Sequence, residues 1–320
     1  MASLTRELKL AALGEGFDLV GVAAAEPAQA ASRLERWLAA GHHGCMAYLA
    51  TTVVQRSDPR HLLEGCRSLL MVALSYRSSR PDSDSAGDGR TVWISRYAWG
   101  RDYHRLVKRR LLRVGRRLEA LRPGCSWRAV VDTAPLLERE WAARAGLGWI
   151  GKSTMLLNRR LGSELFLGAL LTDLELEPDR PATAHCGRCT ACLDACPTGA
   201  FVEPFVLDAR RCVGYLTVEH RGELPVELAP AMADMVAGCD RCNEVCPWTR
   251  RAPADLHPEL APAPHRFRPR LVELEALDEE GWKVWRQGSA LGRIPFAQLR
   301  RSLAVARANL ERDRDDASQG

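Results

Sequence analysis

Residues 185–197 read HCGRCTACLDACP, with four cysteines at intervals of three, three and four and a proline after the last. This C-x2-C-x2-C-x3-C-P spacing is typical of bacterial ferredoxins, in which three thiolates bind one iron–sulfur cube and the fourth binds a second cube. Zinc is the alternative, because a single CxxC pair occurs in both kinds of site. The four cysteines and the trailing proline favour a [4Fe–4S] cluster.

A second cysteine run, CDRCNEVCP, follows at 239–247. When the runs are aligned on their prolines, one ligand position falls on Val236, so one of the thiolates that two cubes need is missing. Cys212 is the only cysteine between the runs, and we infer that it completes the ligands. The predicted sets are Cys186, Cys189, Cys192 and Cys246 for one cluster, and Cys196, Cys212, Cys239 and Cys242 for the other. The remaining Cys45, Cys66 and Cys125 are interpreted as small buried hydrophobic residues.

Two adjacent cubes conduct single electrons, and an electron carrier needs little more than this module. We therefore expect the first 185 residues to hold the consumer of the electrons. The composition, 46% hydrophobic and 27% charged over 320 residues, is that of a globular protein with more than one domain. The N-terminus lacks a secretory apolar segment and paired arginines, so we expect a cytoplasmic protein with no membrane partner.

Alternating strands and amphipathic helices predict an α+β fold class, with an α/β layered domain at the N-terminus. The predicted domains are a catalytic domain at 1–180, a ferredoxin-like double [4Fe–4S] module at 181–250 and a short C-terminal helical region at 251–320. Predicted strands lie at 18–25, 66–76, 126–132 and 163–176, predicted helices at 3–14, 30–40, 102–121 and 133–148, a polar surface loop at 78–90 and a frayed tail at 311–320.

Two segments of the first domain could hold a ligand. In VVDTAPLLERE (130–140), Asp132 falls where a buried strand ends and a helix begins, a position where ligands commonly meet a sheet. The alternative is that Asp132 only caps the helix. GLGWIGKSTMLLN (146–158) could cradle a polar cofactor through backbone amides, or it could be an ordinary glycine loop. No G-x-G-x-x-G or P-loop pattern is present, so a nucleotide cofactor has no support.

Positive charge is concentrated between Arg96 and Arg128, where eleven Lys or Arg stand against two acids. A helix there has Leu106, Val107, Leu111, Val114 and Leu118 on one face and arginines on the rest. A solvated face is the ordinary explanation, but so much charge of one sign repels itself unless a polyanion is near. The candidate nucleic-acid contacts are Arg105, Arg109 and Arg116 on this helix, with Arg293, Arg300 and Arg301 near the C-terminus.

Several long motifs resemble the epoxyqueuosine reductase family: ISRYAWGRDYH (94–104), VVDTAPLLERE, GLGWIGKSTMLLN, the eight-cysteine pattern and RCVGYLTVEHRGELP (211–225). The resemblance runs from about residue 5 to about residue 310. It implies a nitroreductase-like N-terminal domain that binds cobalamin, two [4Fe–4S] clusters and reduction of epoxyqueuosine to queuosine at the tRNA wobble position. It also implies a truncated HEAT-like region that contacts the tRNA. The GKST stretch departs from the expected GKNT at Ser153.

The same resemblance implies roles for single residues. Asp132 would be the proton donor, with a pKa raised by a dry pocket, which replaces the capping interpretation. The candidates for contacts to cobalamin are Arg56, Arg96, Tyr97, Asp132, Lys152, Ser153, Asn158 and Ser163, together with Tyr215 and His220, which would face the cobalt or the tRNA. The expected partners are the epoxyqueuosine-containing tRNA and an unidentified electron donor, and the expected state is a monomer.

Three other functions compete with this one. A reductive dehalogenase would use the same cofactors but usually carries a twin-arginine signal and does not need the basic helix. A non-catalytic iron–sulfur electron-transfer protein would leave Asp132 and the N-terminal domain unexplained. A tRNA-binding module with structural clusters is the third. Incubation with a reductant and precursor tRNA, followed by nucleoside analysis, separates all of them.

Overall fold

The computed structural model describes residues 2–83 and 89–319. Its strands are β1 (Leu19–Ala24), β2 (Ser68–Ser75), β3 (Trp93–Ile94), β4 (Trp127–Val130), β5 (Trp149–Ile150), β6 (Leu156–Leu157), β7 (Leu165–Thr172), β8 (Phe201–Glu203), β9 (Val206–Leu207) and β10 (Met235–Ala237). Its α-helices are α1 (Ala2–Gly14), α2 (Ala31–Ala39), α3 (Ala47–Thr51), α4 (Val53–Ser57), α5 (Tyr103–Leu121), α6 (Glu138–Arg144), α7 (Ala191–Asp194), α8 (Val213–Val218), α9 (Arg241–Glu244), α10 (Pro247–Arg250), α11 (Leu271–Glu275), α12 (Glu279–Trp285) and α13 (Phe296–Gln319).

The N-terminal part is built on a four-stranded sheet in the order β1-β2-β7-β4, with every neighbouring pair antiparallel. Strands β2 and β7 are central and wholly buried, because their apolar side chains are covered on both faces of the sheet. Helices α1 and α5 pack on one face and α6 on the other. The α+β fold class is therefore confirmed.

Helix α5 places its apolar residues as the sequence predicts. Leu106, Val107, Leu111, Val114 and Leu118 are all buried against the sheet. Asp102 caps the helix by accepting a hydrogen bond from the backbone N–H of the residue two positions on. The helix therefore presents its arginines outward and fixes the first residues of its N-terminal turn beside the sheet.

A third core ties the three predicted domains together. Strand β3 pairs in parallel with β10, and the residues around both pack against α8, α11 and α13. Segment 92–99 thus belongs to the N-terminal part by sequence but is packed with the cysteine region and the C-terminal helices. The boundaries at 180 and 250 stay predictions.

Two sequence expectations about helices are wrong. The helix predicted at 133–148 begins only at Glu138, because the chain turns after β4 through an irregular loop at 131–137. The tail at 311–319 continues α13 and is not frayed. Of the predicted surface loop at 78–90, residues 84–88 lie outside the described residues. Within the described ranges, no helix is both long and apolar enough to cross a bilayer.

Candidate active site and thiol clusters

The first predicted cysteine set surrounds one cavity. Cys186, Cys189, Cys192 and Cys246 line a space of about 230 Å³. Burial raises the pKa of the Cys192 thiol, and the other three thiols are near enough to raise it further. The indole Nε1–H of Trp149 donates to Cys186 Sγ at 3.4 Å. We call these four residues the outer thiols.

The second predicted set also comes together. Burial raises the pKa of the Cys242 thiol well above its ordinary value, and the neighbouring thiols of Cys239, Cys212 and Cys196 raise it further. Cys212 and Cys239 also pack against the third core. Val236, where the sequence lacks a cysteine, is fully buried in that core. We call Cys196, Cys212, Cys239 and Cys242 the inner thiols.

Each set has the donor chemistry of a Cys₄-bound iron–sulfur cube. In the described ranges, no three or more His, Cys, Asp or Glu side chains converge to hold a metal ion as they stand. The outer cavity is nevertheless larger than one ion needs and is lined by four thiols. The arrangement therefore fits a multi-iron cluster better than a zinc ion.

Arg96 is buried among carboxylates, and its contact with cobalamin stays a prediction. Its side chain has no exposed surface and forms ion pairs with Asp82, Glu164 and Glu244. Its backbone N–H donates to Asp240, the residue after Cys239, at 2.9 Å. The ISRY motif therefore pins the loop that carries an inner thiol.

The glycine segment 146–158 lies beside the outer thiols. Lys152 and Ser153 line the cavity of the outer thiols, and Lys152 Nζ donates to the carbonyl of Cys189 at 2.9 Å. Asn158 holds its own loop through Leu147 O and the amides of the following residues. Ser163 is buried against Asn243 and Thr249. These four residues make no contact with Asp132, and their contacts with cobalamin stay predictions.

Asp132 stands in a strained turn and not at a helix cap. Its φ is +40°, a region that non-glycine residues seldom occupy and that often marks functional sites. Its backbone N–H donates to Glu138 Oε1 at 2.7 Å, and α6 begins without a side-chain cap at Leu137. The capping alternative is therefore wrong. Burial, together with the charge of Asp132, raises the pKa of Glu138 to about 8.

The Asp132 carboxylate is bound to His104, which the sequence analysis did not single out. His104 Nε2 lies 3.0 Å from Asp132 Oδ2, and His104 Nδ1 lies 2.7 Å from Asp102 Oδ1. The imidazole thus bridges two carboxylates. The rings of Tyr103 and Phe166 are stacked beside it and hold its orientation.

The pKa of Asp132 is not raised as expected. Burial alone would raise it, but hydrogen bonds from His104 and Tyr103 and the positive charges of His104 and Arg293 outweigh burial, and the pKa of Asp132 is lowered. Burial alone would lower the pKa of His104, but its bonds to Asp132 and Asp102 outweigh burial and the pKa of His104 is raised. The proton of the pair therefore rests on the imidazole.

Other polar and aromatic groups surround Asp132. Arg293 Nη1 lies 3.8 Å from Asp132 Oδ2, and Arg293 Nη2 lies 3.2 Å from Glu219 Oε1. The Arg293 guanidinium also lies over the Tyr48 ring at 6.0 Å. Arg56 is close enough to feel the charge of Asp132.

Tyr97 connects this site to the inner thiols. A methyl group added at Gly238, the residue before Cys239, would lie 3.3 Å from the Tyr97 ring. Burial raises the pKa of Tyr97, and the charges of Asp240 and Asp132 act on the same hydroxyl. The ring therefore lies between the cysteine loop and the catalytic candidate.

Two family models match this chain. A model described as epoxyqueuosine reductase QueG, DUF1730 matches residues 56–133, and one described as a 4Fe-4S double cluster binding domain matches residues 185–249. An epoxyqueuosine reductase of Synechococcus sp. (strain CC9605) is 44% identical over 95% of this chain and 94% of its own. The chain belongs to the epoxyqueuosine reductase family. The iron–sulfur prediction and the family prediction are confirmed, and the dehalogenase and electron-carrier alternatives are not favoured.

Solved epoxyqueuosine reductases have the same fold. One, crystallised with an epoxyqueuosine-modified tRNA-Tyr stem loop, has a TM-score of 0.87 and 30% identity over 97% of this chain and 82% of its own. A second, from Bacillus subtilis, has a TM-score of 0.86 at the same identity and coverage. In that structure a catalytic aspartate loop is swung out of the active site.

The remaining residues predicted to contact cobalamin or tRNA fall into two groups: those held by contacts within the protein and those that remain accessible. Tyr215 and His220 do not reach Asp132: Tyr215 Oη accepts from the Cys45 amide, and His220 Nε2 meets Glu223 O. Their neighbour Glu219 is the one that enters the site, through Arg293. Arg301 binds backbone carbonyls, including Leu216 O at 2.6 Å, and so braces α8; its role as a tRNA contact stays a prediction.

The other predicted tRNA contacts remain accessible. The Arg105 side chain is 90% exposed, directly after His104 in the sequence. Arg109 is exposed but pairs with Glu259, while Arg116 is exposed further along α5. Arg300 is exposed and donates to the carbonyl of Glu275. Arg293 lies at Asp132 itself, so any tRNA contact it makes would be with the reacting nucleotide.

Proposed function

We propose that this protein reduces epoxyqueuosine in tRNA to queuosine, the last step of queuosine formation. Family membership and the tRNA stem loop bound by a solved relative support this substrate. The observation that carries the proposal is that one fold combines two sets of four thiols with a hydrogen-bonded His104–Asp132 pair. Tyr97 packs beside the loop of an inner thiol, and its hydroxyl is close enough to feel the charge of Asp132.

Cobalamin is the proposed second cofactor. When bound, it would supply a cobalt centre that accepts single electrons and becomes strongly nucleophilic in its lowest oxidation state. The residues around Asp132 fit a macrocycle with an amide-bearing rim, because Tyr48, Tyr97, Arg56 and Arg293 combine aromatic surface with hydrogen-bonding groups. These are the residues that would hold it.

The reaction sets the task of the remaining side chains. Removing the epoxide oxygen as water, to leave an alkene, consumes two electrons and two protons. The clusters can supply the electrons one at a time, but the protons must come from the protein or from water. A positioned acid beside the departing oxygen contributes about 10²–10⁴-fold to such a step. In this proposal Asp132 is that acid, because its carboxylate is partly exposed and Oδ2 is hydrogen-bonded to a protonated imidazole.

His104 then acts through Asp132 as a proton reservoir. Because the proton of the pair rests on the imidazole, the Nε2–H of His104 supplies it to Asp132 across 3.0 Å as Asp132 delivers a proton to the departing oxygen. Asp102 holds the opposite ring nitrogen and stabilises the charged imidazole. His104 is therefore a positioning residue in this scheme, and its protonation sets the pH range of the reaction.

Replacing His104 with Gln should lower single-turnover rates by roughly 10–10²-fold, less than loss of the acid itself. Gln keeps a hydrogen bond to Asp132 but cannot carry a proton. Because the pKa of His104 is raised above its ordinary value of about 6.5, the wild-type rate should persist above that pH and fall as the imidazole loses its proton. The variant should lack this alkaline decline. Single-turnover rates across pH provide the measurement.

Asp102→Asn is the matched control for that profile. Asn can still cap α5, so the helix should remain intact. Losing the carboxylate lowers the pKa of His104, so the alkaline decline should move to lower pH. An unchanged pH profile in His104→Gln would contradict the reservoir role.

The tRNA should bind along the exposed arginines of α5. Reversing Arg105, Arg109 and Arg116 to Glu should weaken binding of the modified anticodon stem loop and reduce the log–log salt slope by about one for each lost phosphate contact. The control is a triple variant with the same change in net charge, made on the exposed faces of α1 and α2: Arg6→Glu, Arg33→Glu and Arg36→Glu. If the variant and wild type bound the stem loop equally well at low salt, the arginines of α5 would be an ordinary solvated face and not a tRNA-binding site.

A further inference from the structure

The two thiol sets differ in their access to solvent. Cys189 is exposed and the outer thiols border an open cavity. The inner thiols are each only partly accessible, two of them pack against the third core, and Tyr97 beside them leads toward Asp132. The outer set, through Cys189 and its open cavity, is therefore the more accessible entry for electrons from another molecule.

Exposed charge around the outer thiols is mainly positive. Arg188 lies between two outer cysteines, and Arg250 and Arg251 follow Cys246; all three are exposed. The carboxylates of the same cysteine run, Asp240 and Glu244, are buried and bound to the ISRY motif and Ser83. Asp194 is the exposed acid of the first run, and it accepts a hydrogen bond from Thr190. The second run thus buries its acids, while the arginines that follow it are exposed.

An apolar projection stands beside this charge. The β8–β9 hairpin exposes Val202 and Phe205, at 53% and 52% of their surfaces. The Phe205 backbone N–H donates to Lys152 O at 3.0 Å, which ties the hairpin to the loop that lines the outer cavity. Basic residues around an apolar contact are the pattern expected of a site for a charged protein partner.

We infer that this outer face, defined by Lys152, Arg188, Phe205 and Arg251, docks an acidic protein that carries single electrons. The inference rests on the proposed function only in that the electrons must be consumed within the chain. A donor such as a flavodoxin would pass one electron to an oxidised cube. Its anionic flavin hydroquinone would lose that electron and become the neutral semiquinone, with no proton released and no covalent bond formed between the proteins. The exposed Phe205 and the open thiol cavity favour a protein over a nucleic acid at this face.

The test measures cluster reduction by stopped flow in reconstituted protein without cobalamin or tRNA. The probe is reduced bacterial flavodoxin. In wild type, the second-order rate should fall steeply as salt is added, because opposite charges steer the encounter. Arg188→Glu with Arg251→Glu should lower the low-salt rate by about 10–100-fold. Arg33→Glu with Arg36→Glu, the same change in charge on exposed α2, should react as wild type does.

Reduction by methyl viologen radical separates a damaged cluster from a damaged docking surface. The outer-face variant should contain full iron and react normally with this small donor. A wild-type rate with flavodoxin, or a rate independent of salt, would overturn the inference. So would loss of stem-loop affinity with an unchanged flavodoxin rate, because the face would then belong to tRNA. Inactivity on epoxyqueuosine-tRNA would refute the proposed function and leave these rates unaffected.

Discussion

Replacing Asp132 with Asn should lower turnover of epoxyqueuosine-tRNA by about 10²–10⁴-fold, the contribution of a positioned general acid. Asn has the same size and tolerates the left-handed backbone that a φ of +40° imposes. It can accept the hydrogen bond from His104 but cannot pass on a proton. Because Asp132 does not cap α6, the free energy of unfolding should change by less than about 1 kcal/mol.

Single-turnover assays and thermal melts on one preparation would check this result. Asp313→Asn makes the same chemical change on the exposed face of α13 and should keep both turnover and stability. The Asp132 variant should also retain both clusters, since Asp132 touches none of the thiols. If Asp132→Asn turned over at the wild-type rate, Asp132 would not be the general acid.

The cysteine spacing made one half of the candidate site predictable. Ligands that wrap a cube must come from short loops, so their arrangement is encoded in local intervals. Even the missing ligand could be inferred, because Val236 breaks the pattern and a single cysteine lies between the runs. The structure brings Cys212 beside Cys242 and buries Val236 in β10.

The polar residues around Asp132 were less predictable, because they are far apart in the sequence and only folding brings them together. His104 meets Asp132 across 28 positions, and Arg293 meets it from beyond α12. No interval in the sequence reports such contacts. A usable signal was present in RDYH, where an aspartate before a helix is followed two residues later by a histidine. That pattern places the histidine in the first helical turn, beside the end of a neighbouring strand.

The centre that the glycine-rich segment serves was unpredictable for a related reason. GLGWIGKSTMLLN looks like a cofactor cradle because glycines and small polar residues are common in such loops. Here the glycines allow close backbone packing, because a methyl group at Gly148 would clash with Leu157 O. The polar residues serve the outer thiols and the loop itself. Composition identified a special segment, but only the fold shows which centre it serves.

Replacing Cys212 with Ala should remove one cluster and reduce turnover to background. The protein should fall from about eight irons to about four, because each Cys₄ cube holds four. The outer thiols do not include Cys212, so the outer cluster should remain and still accept an electron. Iron and sulfide analysis with electron paramagnetic resonance of the reduced protein provides the measurement.

Cys125→Ala is the matched control, since Cys125 is half-buried and lies outside both thiol sets. It should keep both clusters and normal turnover. Full iron and sulfide in Cys212→Ala would show that another group completes the inner set. If the variant instead lost one cluster, its outer cluster should still be reduced by a small donor while epoxyqueuosine-tRNA stayed unreduced. That separation would place the inner cluster between electron entry and Asp132, because only a break inside the relay leaves entry intact and chemistry abolished.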